Sequence, residues 1–365
     1  MITIDDVADA NALHRAVRKS MKGVTWKASV QRYEINMLRN IRDSKRTIES
    51  GESPVLGFHE FTLSERGKTR HVKSVHIKER VVQRALCDEA LVPALQKGLE
   101  YDNSAGQKGK GIHFTLRRLE AHLHQYYRRT GSNEGYILLI DFKGYYDHIR
   151  HDKVYERLDK KVEDEGVKHL SRQLVKPFDS GEGKSLGIGS QISQILAIDY
   201  PAEIGHLIKH DLHIKEYARY MDDLYLIYED KEYLKYCLEQ IKEKCDEYGI
   251  IINLRKTQIV KLSRTFSFLK VRWTLTATGK VIKRLNPDTI TRERRKLKKL
   301  KALLDEGKIT IDIIESQYQS WKGDKGKGKP GKRITFNSYH TLQRMDQLYN
   351  ELFINKTNQG GTINE

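Results

Sequence analysis

The chain has 365 residues, with 66 Lys plus Arg against 49 Asp plus Glu, a formal net charge of +17. That length suffices for several lobes around a sizeable core. The basic excess points to a polyanionic partner, because neutralisation of phosphates by Lys and Arg dominates nucleic-acid affinity. A membrane partner is disfavoured by the lack of a long apolar segment, of a basic amphipathic N-terminus and of a signal-peptide pattern. Cys87, Cys237 and Cys245 lack zinc-ligand spacing and read as small core residues in a reducing cytoplasm.

In chain order, the first distinctive segment is Arg70-His-Val-Lys-Ser-Val-His-Ile-Lys-Glu-Arg80, continuing to Leu86. A glycine-rich stretch follows, from Tyr101 through Gln107-Lys108-Gly109 to Gly111. Tyr136–Ile140 is a continuous apolar run, as expected of a buried central strand, and it ends at Asp141 in Asp141-Phe-Lys-Gly-Tyr-Tyr-Asp147. Asp147 and Asp152 read as helix-start residues rather than ligands. Leu186-Gly-Ile-Gly-Ser-Gln-Ile-Ser-Gln-Ile-Leu-Ala197 carries a helix N-terminus with Ser190 as cap and Gln194 on an exposed face. Gly189, without a Cβ, permits close approach of another backbone or a ligand.

Tyr217 to Tyr228 contains two apolar arms around Tyr220-Met221-Asp222-Asp223, a hairpin with two acids at its turn. Adjacent carboxylates repel and raise each other's pKa. A divalent cation removes that cost, since hard cations take oxygen ligands from one or two carboxylates plus substrate phosphates. With Asp141, these residues make a candidate two-metal phosphoryl-transfer site, the alternative being an ordinary acidic turn. Lys231–Tyr248 is an amphipathic helix stopped at Gly249, and Ile250–Ile252 reads as a short strand. Asn253-Leu-Arg-Lys256-Thr257 and Phe266-Ser-Phe268-Leu269-Lys270 come next. The remainder reads as a basic helix over Thr291–Lys301, a helix over Ile311–Trp321, a basic glycine-rich loop over Asp324–Arg333 and a helix over Asn337–Leu352.

These segments, in this order, resemble the motifs of bacterial and phage reverse transcriptases. The resemblance implies an α+β right-hand polymerase, with fingers over residues 1–130, a palm of antiparallel sheet and helices over 131–272, and a helical thumb over 273–365. It implies RNA-directed addition of deoxynucleotides to a primer 3′-hydroxyl with two Mg2+ ions. Template RNA, primer or cDNA and dNTPs would be the partners. Asp141, Asp222 and Asp223 would be catalytic, and with Phe142 would form the metal set; Lys256 would protonate the leaving pyrophosphate. Lys68, Arg70 and Lys108 are candidates for the incoming triphosphate, although Gln107-Lys108-Gly109 replaces the family's aromatic–Arg–Pro step. Tyr146 matches the family's sugar gate, with a core tyrosine as the alternative, and Gly189 and Gln194 would border the substrate. Phe268, Leu269 and Lys270 match the primer grip, with Lys270 in place of the usual glycine.

Ser193-Gln194 stands where most bacterial members carry Ser-Pro and is similar to the reverse transcriptases of diversity-generating retroelements. That reading implies frequent errors at template adenines and adds a small accessory protein as a partner. A phage-defence enzyme and an inactive RNA-binding palm protein stay open as alternatives, the acids arguing against the last. The 95 residues after Lys270 are expected to hold a thumb and no further nuclease or DNA-binding domain.

Overall fold

The computed structural model describes residues 2–65, 68–325 and 335–354. Helices α1 (Ile4–Ala8), α2 (Ala10–Met21), α3 (Ala28–Ile35) and α4 (Met37–Glu49) precede an antiparallel hairpin of β1 (Phe58–Glu65) and β2 (Lys68–Val75). After α5 (Ile77–Ala85), α6 (Val92–Gln96) and α7 (Ile112–Thr130) comes the central strand β3 (Tyr136–Asp141). Helices α8 (Tyr145–His148), α9 (His151–Lys161), α10 (Glu165–Val175), α11 (Gln191–Asp199) and α12 (Ala202–His206) intervene before β4 (Glu216–Tyr220) and β5 (Asp223–Tyr228). Then come α13 (Lys231–Glu247), β6 (Gln258–Lys261), β7 (Phe266–Phe268), β8 (Val271–Leu275) and β9 (Val281–Leu285). Helices α14 (Pro287–Asp305), α15 (Ile311–Lys325) and α16 (Tyr339–Phe353) end the described chain.

The central sheet has the order β4-β5-β3-β6, every pair antiparallel. Its inner strands are apolar up to the acids at one end, Asp141 and Asp223, because both faces are covered. Successive side chains of a strand point to opposite faces. Leu138, Ile140, Leu224 and Leu226 accordingly join the larger core, shared with the N-terminal helices and with α9 to α13. Ile137, Leu139, Tyr225 and Ile227 join a second core with α7 and the three-stranded sheet β7-β8-β9. Burial on both sides fixes the register, since a one-residue slip would exchange the two sets. That register places Asp141 directly opposite Asp223.

The expected helix after the acidic hairpin forms as α13, burying Leu234, Cys237, Ile241 and Cys245 and stopping at Gly249 with φ of +66°. Ile250–Ile252 is not a strand: its one sheet-like contact is an isolated bridge between Ile252 and Phe142. The segment and the residue after it anchor the end of β3: Lys143 N–H donates to Ile251 O at 2.7 Å, and Asn253 N–H donates to Asp141 O at 2.8 Å. The three C-terminal helices pack around Leu297, Leu300, Ile314, Tyr318, Met345 and Tyr349, leaving the cationic face of α14 exposed. Within the basic glycine-rich loop, Lys327, Lys329 and Arg333 lie outside the described residues. All three cysteines are free and buried. No helix among the described residues is long and apolar enough to cross a membrane.

Candidate active site

The acids meet because two strand ends are in register. Tyr220 pairs with Asp223, so Met221 and Asp222 form a two-residue hairpin loop. Met221 takes φ of +55°, the left-handed region that such loops demand and that glycine normally supplies. Two contacts hold it there. Phe142 N–H donates to Asp222 O at 3.1 Å, tying the loop to the end of β3. The buried Arg219 guanidinium donates to Met221 O at 3.2 Å and to Ile198 O at 2.9 Å.

Asp141 is buried, and each of its carboxylate oxygens accepts a hydrogen bond: from Asn253 Nδ2 at 2.8 Å and from Lys256 Nζ at 2.6 Å. The Lys256 ammonium titrates above its ordinary value: burial opposes this, but its bond to Asp141 and the charges of Asp141, Asp223 and Asp222 outweigh it. Burial, then Asp141, raises Asp222. Asp223 is pushed up to about 7, first by burial and then by Asp222 and Asp141. Lys68, at the start of β2, opposes both shifts, which places its charge within reach of the acids. Two raised carboxyls beside the buried Asp141 carboxylate offer the clustered oxygen donors that a hard divalent ion takes, and such an ion would relieve the repulsion that raises them. The residues therefore fit the expected ions.

A cavity of about 420 Å3 brings Tyr146, Gly189 and Gln194 together with Lys19, Arg80, Arg84 and Gln191. Tyr146 is held above the ordinary phenol range by burial and by Asp222. Gly189 takes φ of +125°, and an added Cβ would lie 2.7 Å from Lys73 O. The close approach at this glycine is thus made by the chain's own β2, where Lys73 N–H donates to Ile188 O at 2.8 Å. Ser190 caps α11 by accepting from Ser193 N–H at 3.2 Å, and Gln194 is exposed at the cavity rim.

The remaining expected site residues are more dispersed. Arg70 is exposed on β2. Lys108 is exposed in the glycine-rich loop, and no contact among the described residues joins it to the acids. In the same loop Lys110 is folded inward, its ammonium 4.7 Å from the Tyr101 ring and 2.7 Å from Tyr101 O. Leu269 and Lys270 form the two-residue turn of the β7-β8 hairpin, with φ of +47° and +64°. Left-handed values at both positions define a type I′ turn, which Lys270 fills where glycine would be unstrained. Phe268 anchors the hairpin edge-on to Tyr225 at 5.1 Å.

Sequence reasoning passed over Asn253, Arg219, Arg80 and Arg84. It also passed over the buried chain Asp102–Arg118–His122–Tyr225, in which Arg118 is 3.0 Å from His122 and His122 is 2.8 Å from Tyr225 Oη. Burial alone would raise Asp102, but its bonds to His122 and Arg118 hold it below the ordinary carboxylate range. Asn253 sits three positions before Lys256, a spacing that one loop turn brings to a single carboxylate.

Comparison with known proteins decides the family. The model of the reverse transcriptase (RNA-dependent DNA polymerase) family matches residues 61–273, more than half the chain. The chain belongs to this family. The family is one of RNA-dependent DNA polymerases, and the mixed α+β elements described above are those of its right-hand fold. No curated protein sequence matches it significantly. Among solved structures it is similar to apo telomerase from Candida tropicalis truncated from its C-terminal domain (13% identity, TM-score 0.47, 68% of this chain and 60% of that one). It is also similar to Candida albicans telomerase in complex with a fragment of telomeric RNA (14%, 0.47, 67% and 49%). The chain thus matches between about half and three-fifths of the length of these telomerases.

Proposed function

We propose that the chain extends a primer 3′-hydroxyl with deoxynucleotides along an RNA template, and that Mg2+ is its ion. The observation that supports this most is the convergence of Asp141, Asp222 and Asp223 at two paired strand ends. In this reading Asp141 and Asp222 hold two ions, with Asp223 and the backbone at Phe142 beside them. When bound, such ions activate the attacking hydroxyl and stabilise the leaving pyrophosphate. The protein's part is positioning and charge neutralisation. Lys256, whose ammonium already sits 2.6 Å from Asp141, holds a proton where a leaving phosphate would need one. Lys68 and Arg70 steer the triphosphate from β2, and Lys108 from its loop. Tyr146 and Gly189 shape the nucleotide wall, and Phe268, Leu269 and Lys270 hold the primer. Residues 1–130, 131–272 and 273–365 serve as fingers, palm and thumb. The free, buried cysteines accord with a cytoplasmic setting.

The test is Mg2+-dependent extension on an RNA template by purified Asp141→Asn and Asp222→Asn variants. Loss of extension with an unchanged circular-dichroism spectrum is expected. Full activity in either variant overturns the assignment, and RNA binding without extension by the unaltered chain would favour an inactive RNA-binding protein.

For biological role we favour the error-prone polymerase of a diversity-generating retroelement over a phage-defence enzyme, on the strength of Ser193-Gln194. Gln194 places a mobile amide at the rim of the cavity that Tyr146 lines, where proline would fix φ and supply no donor. Sequencing cDNA from a mixed-base RNA template is expected to reveal errors concentrated opposite adenine. An even, low error spectrum favours defence.

A further inference from the structure

Away from the acids, Glu100, His206 and His210 converge at the surface where the segment after α6 meets α12 and the π-helical turn Leu207–Asp211. One atom from each lies within 4.8 Å of the others. His206 Nδ1 is 2.8 Å from Glu100 Oε1, and His210 Nε2 is 3.0 Å from the same oxygen. The two imidazoles stack with centroids 5.7 Å apart. His206 Nε2 meets a second acceptor, Gly98 O, at 2.9 Å.

Proton accounting makes this cluster informative. A carbonyl and a carboxylate are acceptors only, so His206 faces an acceptor at both ring nitrogens. A neutral imidazole carries one N–H and satisfies one of them. With a cation at this point both nitrogens are satisfied: Nε2–H goes to Gly98 O and the Nδ1 lone pair goes to the cation. This arrangement is how ligating histidines are held, with the far N–H donated to a backbone carbonyl. His210, one turn later on the same helix face, turns its Nε2 to the same point, and Glu100 supplies an oxygen.

We propose that Glu100, His206 and His210 form a site for a transition-metal dication, Zn2+ by preference, distinct from the carboxylate site for hard ions. Two imidazoles select Zn2+ over Mg2+. Ligands around a tetrahedral zinc with bonds near 2.1 Å sit about 3.4 Å apart, so a small side-chain rotation opens the cluster to it. His210 is two-thirds exposed, its side chain at 66%, leaving the fourth position to water. The ion would clip residues 98–100 to residues 206–210. Glu100 is followed by Asn103 and Ser104, which pair with β4 at Arg219; Arg219 in turn holds the Met221 carbonyl. The clip is a structural staple for the segment that buttresses the acidic hairpin.

The experiment is calorimetric titration of the full chain with Zn2+ in excess Mg2+, which saturates the carboxylates, alongside Co2+ absorption to report imidazole ligation. One equivalent binding in the micromolar range or tighter is expected, with a tetrahedral Co2+ spectrum and a raised thermal midpoint. His210→Ala and Glu100→Gln should each weaken that equivalent by about tenfold or more. The exposed position of His210 keeps its variant folded, and an unchanged midpoint without metal checks this. Absence of the equivalent, or an equivalent that persists in both variants, overturns the proposal and leaves the cluster as a hydrogen-bonded surface contact.

Discussion

Asp223→Asn tests the electrostatics of the acidic site through stability, independently of catalysis. Asp223 is moved from an ordinary value of 3.8 to about 7, by burial first and then by Asp222 and Asp141. A displacement of that size corresponds to about 4 kcal/mol between charged and neutral forms. Because Asp222 is raised beside it and the two are coupled, roughly half, about 2 kcal/mol, is assigned to this position. The sign follows from linkage. The folded state holds the proton more tightly than the unfolded state, so the ion-free protein loses stability as pH rises from the unfolded value to about 7, and no more above that. Asparagine removes the penalty. In a chelator at pH 8 the variant is expected to be more stable than the parent by about 2 kcal/mol. With an unfolding entropy near 2.1 cal/mol/K per residue this is about 3 °C in the thermal midpoint. At pH 5 about a third of the gain should remain. Mg2+ should reverse the order at pH 8, stabilising the parent more than the variant. The assay is thermal unfolding at both pH values, with chelator and with Mg2+. Destabilisation of the variant in chelator at pH 8, or a gain that ignores pH, refutes the account.

Two further substitutions probe the cavity. Gly189→Ala puts a methyl 2.7 Å from Lys73 O at a φ of +125°, so β2 must shift; the expected result is a loss of about 1–3 kcal/mol in urea unfolding and a lower kcat/KM for deoxynucleotides, and unchanged values would mean that the loop yields freely. Tyr146→Ala opens the wall beside Asp222 and should raise ribonucleotide relative to deoxynucleotide kcat/KM by about tenfold or more on one primer–template; a constant ratio returns Tyr146 to the core.

What the sequence makes legible here is local. Asp141 stands out because the apolar run before it can only be a doubly buried strand, and Asp222 and Asp223 stand out because two acids between apolar arms carry an obvious cost. The helix ending at Gly249 is legible for the same reason, since spacing and a left-handed glycine are both written in neighbouring residues. Ile250–Ile252 misleads because β-branched composition signals a strand, while tertiary context uses the Ile251 carbonyl as acceptor for Lys143, just past the end of β3, and the next residue, Asn253, as donor to Asp141 O. Gly189 invites a close-approach argument, but the partner, Lys73, is more than a hundred positions earlier in the chain.

The supports of the acidic hairpin are the least legible part, and the reason is physical. Met221 adopts a backbone conformation that costs a non-glycine residue about 1–2 kcal/mol. A residue persists in such a state only when its surroundings over-determine it. Here the surroundings are Arg219, donating to Met221 O and Ile198 O, and β5, whose Tyr225 reaches through His122 and Arg118 to Asp102. Each of these side chains is unremarkable in the sequence, because its role exists only once separate elements are packed together, His122 and Tyr225 lying 103 positions apart. Removing Arg118 would leave the Asp102 carboxylate buried without its cation, a loss of the order of 3–5 kcal/mol for a desolvated pair. The acids can be named from the sequence; the rigidity that keeps them at a fixed separation resides in buried polar contacts that only the fold assembles.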